Sequence, residues 1–448
     1  MVHRAPGSNE PRASVAVVGS GIAGLSAAHR LARHAHVTLF EADQRLGGHA
    51  DTHLVTDAGR RIAVDTGFIV HNDRTYPTLC RLFEELAVPT QETDMSMSVR
   101  ADEVGLEYAG ARGIRGLFPS AAHLGRPRYL RMLGEVRRFH RRARALLADA
   151  AGAGEPDTTL REFVDDGGFT PFFGDHFLRP LVSAVWSCEP GSALDYPARY
   201  LFEFLDHHGM LTVFGSPTWR TVVGGSARYV ERVAAGLDRV HTGRRVVSVR
   251  ELADHVTVAD DHGGRADVDA VVVATHPHQA LRVLDVPSPL QRRVLGSIAY
   301  TPNVAQLHTD SSVLPRRTAA RASWNYWCRP DRAEGDPALV TYDLSRLHRL
   351  PASDRRFLVT LGAEDVVDQR TVLDTMEYEH PLYTPDSVAA QRLLPQLNTP
   401  RVAFAGAYHG WGFHEDGARS GVEAAEHLLA HWRAQPVTAA APCGASRR

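Results

Sequence analysis

The first forty residues of the chain alternate between strand-like and helix-like hydrophobic patterns. Residues 14–18 form a short run of β-branched and small apolar residues, residues 22–33 show an alanine-rich helical spacing, and residues 37–40 form a second apolar run. A strand, a helix and a strand in this order predict a βαβ unit. The sequence therefore predicts an α/β fold that begins close to its N-terminus.

Further along, the spacing of apolar residues predicts several more elements. Helical periodicity covers residues 78–86 and 129–147, and strand patterns cover residues 246–258 and 267–274 with the turn DDHGG between them. A last strand over 401–405 and a last helix over 417–433 follow. Beyond Gln435 the alanine- and proline-rich residues show no periodicity, so a disordered tail is expected over residues 436–448.

Three glycines separate the first strand from the first helix. Gly19, Gly21 and Gly24 stand where a tight turn, close approach of a pyrophosphate and close helix packing each favour a residue without a Cβ. The helix N-terminus, at Ile22 and Ala23, would offer amide donors to that anion. The spacing predicts a dinucleotide-binding turn.

A carboxylate follows the second strand at the distance that such a site requires. Glu41 comes 22 residues after Gly19, with Ala42 beside it, where it would accept hydrogen bonds from an adenosine ribose. The glycines alone are a weak signal. Together with both strands and Glu41 they predict a Rossmann-like domain.

Composition limits the classes of protein that remain. The chain has 448 residues, of which 44% are hydrophobic and 23% charged, which fits a globular protein of two lobes. A net charge of -2 gives no overall attraction to nucleic acid. The four cysteines are scattered without a Cys-x-x-Cys pair, so neither a metal site nor a disulfide framework is predicted. We find no signal-peptide pattern and no apolar run of membrane-spanning length, so a cytoplasmic protein is expected.

The segment EADQRLGGH, residues 41–49, resembles the glutamate, arginine and double-glycine run of the flavin-containing amine oxidase superfamily. The resemblance implies FAD as the cofactor. It also implies that Arg45 lies near the adenosine diphosphate and that the chain passes beneath it at Gly47 and Gly48. His49 stands where the family usually has a second arginine.

Three more segments resemble cofactor-binding parts of this superfamily. In DTGF, Thr66, Gly67 and Phe68 would run along the isoalloxazine, and Val246 would contact the adenine. In VAFAGAYHGWGFHEDGARSGVEAA, a helix starting near Gly417 would direct free amides at the flavin. The cofactor contacts implied for this last segment are Gly406, Ala407, Gly417 and Ala418, although Ala407 replaces the carboxylate that the family usually has there.

The resemblance implies a glutathione-reductase-type FAD-binding domain interleaved with an α+β substrate domain. The FAD-binding segments would be residues 12–75, 221–285 and 396–435. The substrate domain would comprise a helical part over residues 76–220 and a sheet part over residues 286–395.

The motifs SALDYPARYLFEFLDHHGML, SPTWRTVVGGSARYV, SWNYW and GAYHGWGFHEDG resemble a bacterial branch of predicted FAD-binding proteins linked to cyclopropane and methyl-branched fatty-acid modification. This resemblance implies a desaturase or dehydrogenase of an apolar, lipid-derived acyl substrate. Amine oxidases commonly place a lysine at the flavin, and this chain contains no lysine. The alternatives are an amine or polyene oxidase of the same fold and a non-catalytic lipid-binding escort protein.

A desaturation removes a hydride and a proton, so a base is needed beside the flavin. His414 and His409 are the candidate bases, and Tyr408 and Glu415 are expected beside them on the catalytic face. His207 and His208 are weaker candidates, and residues 324–327 suit core packing better than a substrate tunnel. The sequence does not identify the electron acceptor.

Arginines concentrate in one stretch of the chain. Between Ala111 and Ala145 there are ten arginines and one acidic residue, Glu135. A basic amphipathic helix here suits either a solvated face or peripheral contact with an anionic membrane, and the charge lacks the aromatic interleaving of nucleic-acid sites.

Overall fold

The computed structural model describes residues 12–149, 158–212, 215–331, 335–351 and 353–434. Its strands are β1 (Ser14–Val18), β2 (His36–Phe40), β3 (Thr52–Asp57), β4 (Arg60–Asp65), β5 (His71–Asn72), β6 (Thr90–Glu92), β7 (Met97–Ala101), β8 (Leu106–Gly110), β9 (Trp219–Val222), β10 (Arg239–His241), β11 (Val246–Glu251), β12 (Val256–Asp260), β13 (Arg265–Val268), β14 (Ala270–Val273), β15 (Tyr300–His308), β16 (Trp324–Cys328), β17 (Val340–Asp343), β18 (Leu358–Leu361), β19 (Val372–Pro381) and β20 (Val402–Phe404).

The helices are α1 (Ile22–Leu31), α2 (Pro77–Glu85), α3 (Gly113–Leu117), α4 (Pro127–Ala148), α5 (Leu160–Asp166), α6 (Pro171–Phe173), α7 (Arg179–Trp186), α8 (Ala198–His207), α9 (Ala227–Ala234), α10 (Pro277–Val283), α11 (Pro289–Gly296), α12 (Leu344–Leu347), α13 (Pro385–Gln391) and α14 (His414–Ala434). Short 3₁₀ turns, such as Ala121–Gly125 and Ala407–His409, connect some of them. The predicted disordered tail lies outside the described residues.

A five-stranded parallel sheet confirms the predicted βαβ unit. Its strand order is β10-β2-β1-β14-β20, and every neighbouring pair is parallel. Both faces are buried: Val15 and Val17 of β1 pack toward α1 and α14, whereas Ala16 and Val18 pack toward β11–β13. Because side chains alternate across a strand, a sheet covered on both faces requires apolar residues at successive positions, as at residues 15–18 of β1.

A seven-stranded sheet forms the second layer of the molecule. Its order is β19-β15-β18-β17-β16-β7-β8, and β16 pairs with β7 in parallel although more than 200 residues separate them in the chain. The helices α4, α5, α7 and α8 share one hydrophobic core with β7, β8 and β16. The fold is therefore mixed α/β, with the segments of the two sheets interleaved along the chain.

Several predicted element boundaries differ from the structure. The strand pattern over residues 246–258 is two antiparallel strands, β11 and β12, joined by a turn, and the pattern over 267–274 is β13 followed by β14. Helix α2 packs through Leu79, Leu82 and Phe83 into the core that contains α1 and α14. It therefore belongs with the parallel sheet, although the predicted domain boundary at residue 76 assigned it to the substrate domain.

Within the described ranges, no helix is both long and apolar enough to cross a bilayer.

Candidate functional site: a dinucleotide cradle at the edge of the parallel sheet

The glycine turn after β1 has the geometry that a dinucleotide requires. Gly19 has φ +99°, and its amide donates to the carbonyl of Phe40 at 2.8 Å. A Cβ on Gly24 would lie 1.9 Å from the Gly19 carbonyl oxygen, whereas a Cβ on Gly21 would meet no atom within 4 Å. Gly24 is thus required by the packing of α1 on the turn. Gly21 borders the open space where a pyrophosphate would lie against the N-terminus of α1, at Ile22 and Ala23.

Glu41 lies at the carboxyl end of β2 and is tied to this turn. Its Oε2 accepts the backbone amide of Ser20 at 2.8 Å, and its Oε1 accepts the amide of Asp43 at 3.0 Å. The Ser20 hydroxyl accepts the amide of Gly47 at 3.0 Å, and Ala42 is exposed beside the carboxylate. These bonds join the three segments that were predicted to hold the adenosine diphosphate.

The double-glycine turn passes directly over the start of α1. Gly47 and Gly48 have φ +115° and +57°, and a Cβ on Gly48 would lie 3.2 Å from the Cα of Gly21. The Arg45 guanidinium donates to the carbonyls of Gly48 and Ala50 at 2.9 and 3.0 Å. Arg45 therefore stabilises the turn through these hydrogen bonds. That Arg45 lies near the adenosine diphosphate stays a prediction.

The segment after β4 meets the same turn. The Thr66 amide donates to the carbonyl of Asp51 at 2.9 Å, and the Phe68 amide donates to the carbonyl of His49 at 2.6 Å. A Cβ on Gly67 would lie 2.3 Å from that His49 oxygen. Close approach of the two chain segments accounts for glycine at position 67. Val246 is buried in a core with Val18 and Phe40, the last residues of β1 and β2, and its contact with adenine stays a prediction.

The C-terminal segment differs from the prediction in where its helix begins. Helix α14 starts at His414, and the Gly417 amide already donates to the carbonyl of Phe413 at 3.1 Å. Free amides at the start of α14 therefore lie before Gly417. A Cβ on Gly417 would lie 2.7 Å from Cγ2 of Ile22, and Ala418 is buried in the core shared with α1. The small residues here allow α14 to pack closely on α1.

Gly406 and Ala407 complete the cradle at the carboxyl end of β20. The Gly406 amide donates to the Ser420 hydroxyl at 2.9 Å, which in turn donates to the Gly406 carbonyl at 3.0 Å. Ser420 lies on α14, so it holds the end of β20 against that helix. Together with the glycine turn, these segments surround the carboxyl ends of β1, β14 and β20, which is where open α/β sheets bind ligands. The open space at Gly21 and the close-packed glycines around it fit an extended dinucleotide such as FAD.

The Glu415 carboxylate binds the N-terminus of helix α2. Its Oε1 and Oε2 accept the backbone amides of Thr78 and Leu79 at 2.9 Å each, at the N-terminus of α2. Helix α2 has no side-chain cap of its own, so the Glu415 carboxylate satisfies two of its free amides and complements the helix dipole. This engagement contradicts the expected position on the catalytic face and gives Glu415 a structural role.

We expect Glu415→Gln to lower the free energy of unfolding by about 1–2 kcal/mol, because one charge-assisted cap bond is lost. The rate of flavin reduction by substrate should stay unchanged, since the side chain is directed at α2. Urea unfolding and anaerobic stopped-flow absorbance measure the two effects. Glu423→Gln, on an exposed position of the same helix, is the control. A hundredfold loss of rate without loss of stability would restore the catalytic assignment.

The other three predicted catalytic residues lie around the start of α14. The ring of His414 stacks on Phe68 with centroids 3.8 Å apart, and its Nε2 hydrogen-bonds the Tyr229 hydroxyl at 2.9 Å. Burial lowers the pKa of His414 to about 3 and that of His409 to about 4. Nε2 of His409 and the hydroxyl of Tyr408 are buried without a hydrogen-bond partner in the described part of the chain. Burial also raises the pKa of Tyr408.

Sequence reasoning missed a histidine cluster beside the cradle. His49 stacks on Tyr378 of β19 at 5.0 Å, and its centroid lies 5.3 Å from that of His380 and 6.4 Å from that of His276. Nε2 of His49 is buried and has no partner among the described residues. Burial is the main cause that lowers the pKa of all three histidines. The members come from three distant parts of the sequence, so no local spacing indicated them.

His276 also begins a path toward solvent. Its Nδ1 lies 2.7 Å from Oε2 of Glu379, and its ring stacks on Tyr300 at 4.3 Å. His278 lies 3.7 Å from the same carboxylate oxygen, and a cleft of about 330 Å³ is lined by Tyr300, His278 and Glu379. His276, His278 and Glu379 offer three possible metal-ligand atoms within 4.8 Å of one another. The spacing of the cysteines, on which no metal site was predicted, gave no indication of this group.

Asp416 is a second missed residue. It is buried on the first turn of α14, where its carboxylate accepts the Phe413 amide at 3.1 Å and pairs with Arg419 at 3.2 Å. Burial raises the pKa of Asp416 to about 6, although the Phe413 amide and Arg419 oppose the shift.

The weaker candidates have structural partners. Nδ1 of His208 lies 2.9 Å from the carbonyl of Phe204, and His207 lies beside Trp411 with centroids 5.4 Å apart. Residues 324–327 form most of β16: Asn325 hydrogen-bonds Ser98 and neighbouring backbone, Tyr326 is in the core, and the Trp327 indole donates to Asp102. The expectation of core packing for this segment agrees with these contacts.

Comparison with known proteins identifies the family. The profile described as flavin containing amine oxidoreductase matches residues 22–429. A Mycobacterium tuberculosis protein (strain CDC 1551 / Oshkosh) named as a flavin-containing monoamine oxidase, AofH, is 31% identical over 351 residues, which are 74% of this chain and 70% of that protein.

Solved structures share the fold. A putrescine oxidase bound to putrescine superposes with a TM-score of 0.67 at 16% identity, over 93% of this chain and 99% of that one. The cyclohexylamine oxidase of Brevibacterium oxydans IH-35A gives 0.67 at 15% identity, over 94% and 100%. The CLA-producing fatty acid isomerase of P. acnes gives a TM-score of 0.65 at 15% identity, over 93% of this chain and 98% of that one. With the profile covering most of the chain, the protein belongs to the flavin-containing amine oxidoreductase family and is an FAD-dependent oxidoreductase.

Proposed function

We propose that the enzyme desaturates or dehydrogenates an apolar, lipid-derived acyl substrate. The observation that carries this proposal is the aromatic wall around the loop between β20 and α14. Trp411 lies 6.2 Å from Tyr200 and 5.9 Å from Phe204, and Phe413 stacks on Phe204 at 4.9 Å. An apolar wall beside the cradle suits an apolar substrate, because burying hydrocarbon surface away from water is favourable.

Three carboxylates near the cradle already have partners. Asp416 pairs with Arg419, Glu415 caps α2, and Glu379 contacts His276. The charge of Asp416 is thus balanced by Arg419, and the Glu415 carboxylate is directed at α2. The sequence also contains no lysine, which is the residue that amine oxidases commonly place at the flavin.

Buried neutral histidines are the proposed acceptors of the substrate proton. FAD, when bound, would supply the hydride acceptor, and formation of the double bond would require a base to take a proton from the neighbouring carbon of the substrate. His409 and His49 each have a buried Nε2 without a partner in the described part of the chain, and burial keeps both rings neutral near pH 7. A neutral imidazole nitrogen can accept the proton, and His276 with Glu379 would pass it on from His49 toward the cleft. His414 is held between Phe68 and Tyr229, which suits a positioning role.

A second candidate function is oxidation of an amine. It is favoured by the 31% identity to AofH and by the family's description. Putrescine oxidase and cyclohexylamine oxidase share the fold with this chain, and so does the fatty acid isomerase. Fold similarity at this level of identity therefore does not separate the two candidates.

We expect anaerobic bleaching of the bound flavin by acyl lipids and little bleaching by putrescine, cyclohexylamine or aryl amines. Visible absorbance after anaerobic mixing measures this, with acyl substrates taken from lipids that copurify with the protein and are identified by mass spectrometry. His409→Gln and His49→Gln should slow the reduction while FAD stays bound, with His262→Gln on an exposed loop as the control. Rapid bleaching by the amines, without any by lipids, would establish the second candidate in place of the first.

A further inference from the structure

Exposed apolar side chains cluster where the arginines concentrate. Nine large hydrophobic residues are exposed in the described part of the chain, and three of them fall within residues 114–130. Ile114 of α3 is 78% exposed, Leu124 of the 3₁₀ turn 63%, and Leu130 of α4 41%. Such a cluster on an otherwise polar surface indicates a contact site.

The three side chains belong to one corner of the molecule, because the elements that carry them all pack around Tyr129. The Tyr129 hydroxyl donates to the carbonyl of Leu117 at 2.7 Å, and its ring lies 6.0 Å from that of Phe118 and 5.7 Å from that of His123. Tyr129 itself is 1% exposed. Contacts with Tyr129 thus hold the inner side of this corner in place. The exposed side chains of Ile114, Leu124 and Leu130 lie on its outer side.

Helix α4 continues the same surface with arginines. Leu130, Arg137, Arg141 and Arg144 are spaced by seven, four and three residues, which places them on one face of a helix, and all four are exposed. Arg137 and Arg141 make no hydrogen bond or ion pair within the described residues. The acid of this stretch, Glu135, is turned inward, where it accepts the amide and hydroxyl of Thr170 at 3.0 and 2.6 Å. The outward face therefore carries uncompensated positive charge.

Other arginines of α4 belong to the fold. Arg138 donates to the carbonyl of Gly168 at 2.9 Å and lies 4.2 Å from the ring centroid of Phe169. Arg142 lies 5.6 Å from the ring centroid of Phe163. These two side chains cover the protein's own core and are poor probes of an external partner, so variants should leave them intact.

We propose that Ile114, Leu124, Leu130, Arg137, Arg141 and Arg144 form a docking surface for a bilayer containing anionic lipids. Charge complementarity selects this occupant, because arginines attract anionic headgroups while the apolar side chains insert between them. A surface for single-stranded nucleic acid would instead combine its arginines with stacking aromatic rings, and the exposed large apolar residues of this surface are aliphatic.

The inner face of α4 connects this surface to the aromatic wall. Phe139 of α4 lies 5.4 Å from Phe202 of α8, and Phe204 of the same helix stacks on Phe413. A bilayer docked on α4 would thus lie behind the wall of the proposed acyl site. This link rests on the proposed function, whereas docking itself does not.

Sedimentation with vesicles of phosphatidylcholine, with and without phosphatidylglycerol, tests the docking surface on the purified holoenzyme. The wild type should bind only the anionic vesicles and should release in high salt. Arg137→Gln/Arg141→Gln/Arg144→Gln should weaken binding ~100-fold, since each arginine near the membrane strengthens binding several-fold. Ile114→Ser/Leu124→Ser/Leu130→Ser should weaken it at least ~10-fold, because the apolar insertion is lost.

Matched controls are Arg61→Gln/Arg292→Gln/Arg293→Gln and Val286→Ser, which change exposed residues elsewhere. They should bind like the wild type, and every variant should keep its FAD. The proposal is wrong if the wild type does not bind anionic vesicles at low salt, if the control triple variant loses as much affinity, or if the surface binds RNA or DNA more tightly than vesicles. If the enzyme binds the vesicles but oxidises only amines, the docking surface is supported and the proposed acyl substrate is wrong.

Discussion

Replacing Gly21 by leucine is expected to give a folded protein that purifies without FAD. Gly21 has φ −62° and ψ 172°, which any L-residue adopts without strain, and a Cβ there meets no protein atom within 4 Å. The added side chain would instead enter the space at the N-terminus of α1 where the pyrophosphate approaches the backbone. The measurement is the flavin absorbance of the purified protein, together with its circular dichroism and urea unfolding transition.

Two matched variants separate loss of cofactor from loss of fold. Gly24→Ala should impair folding itself, because its Cβ would lie 1.9 Å from the carbonyl oxygen of Gly19. Gly134→Leu, on an exposed turn of α4 where a Cβ also meets nothing within 4 Å, should keep both FAD and fold. Normal FAD content in a folded Gly21→Leu protein would contradict the placement of the pyrophosphate.

The cofactor cradle could be predicted because its signals are local. Gly19, Gly21 and Gly24 lie within six residues of one another. Backbone conformation requires Gly19 and packing requires Gly24, whereas Gly21 leaves the space that a pyrophosphate would occupy. The alternation of faces in β1 and the position of Glu41 after β2 also follow from short-range spacing. The roles of residues that depend on one turn or one strand can therefore be predicted from the sequence.

The catalytic face was harder to predict because it is assembled over long distances. Glu415 follows the strand that ends at the cradle, yet its carboxylate caps a helix more than 300 residues earlier in the chain. His49, His276 and His380 meet only because β19 of the seven-stranded sheet lies against the end of β14 and the double-glycine turn. With 24 histidines in the chain and no local motif, composition could not select these three.

The arginine-rich helix α4 likewise has surface contacts that could not be predicted from local sequence. Ten arginines lie in one stretch of the sequence, but their spacing alone does not show which of them face outward. Arg138 and Arg142 are drawn over Phe169 and Phe163 by cation–π contact, and only Arg137, Arg141 and Arg144 share the outward stripe with Leu130. Helical periodicity predicts the stripe, whereas the position of the phenylalanines depends on the tertiary fold.

Acidification is expected to unfold the protein well above pH 4. Burial lowers the pKa of seven histidines to about 4 or below, namely His71, His140, His208, His308, His380, His409 and His414. Between pH 6.5 and 4 the unfolded chain binds protons at these rings and the folded protein does not, so stability falls as the pH falls. One ring contributes up to about 3 kcal/mol to this loss, and total stabilities are only about 5–15 kcal/mol.

His308 shows why the folded protein resists protonation. It is fully buried on β15, where its Nδ1 accepts the amide of Asp310 at 3.1 Å and its Nε2 lies 2.7 Å from the Thr360 hydroxyl. Because a backbone amide donates to Nδ1, that nitrogen carries no proton, and Nε2 is left as the donor to Thr360. Adding a proton at Nδ1 would break the bond to the Asp310 amide and bury a charge, and the cost of burial outweighs the attraction of the Asp310 carboxylate.

Urea unfolding at a series of pH values between 7 and 4 measures the effect. The free energy of unfolding should fall with decreasing pH, and His308→Gln should make the fall shallower because one titrating ring is removed. His262→Gln changes an exposed histidine and should leave the slope as it is in the wild type. A free energy of unfolding that stays constant from pH 7 to pH 4 would mean that the buried histidines are charged in the folded protein. Their neutral state, on which the proposed proton acceptors His409 and His49 depend, would then have to be abandoned.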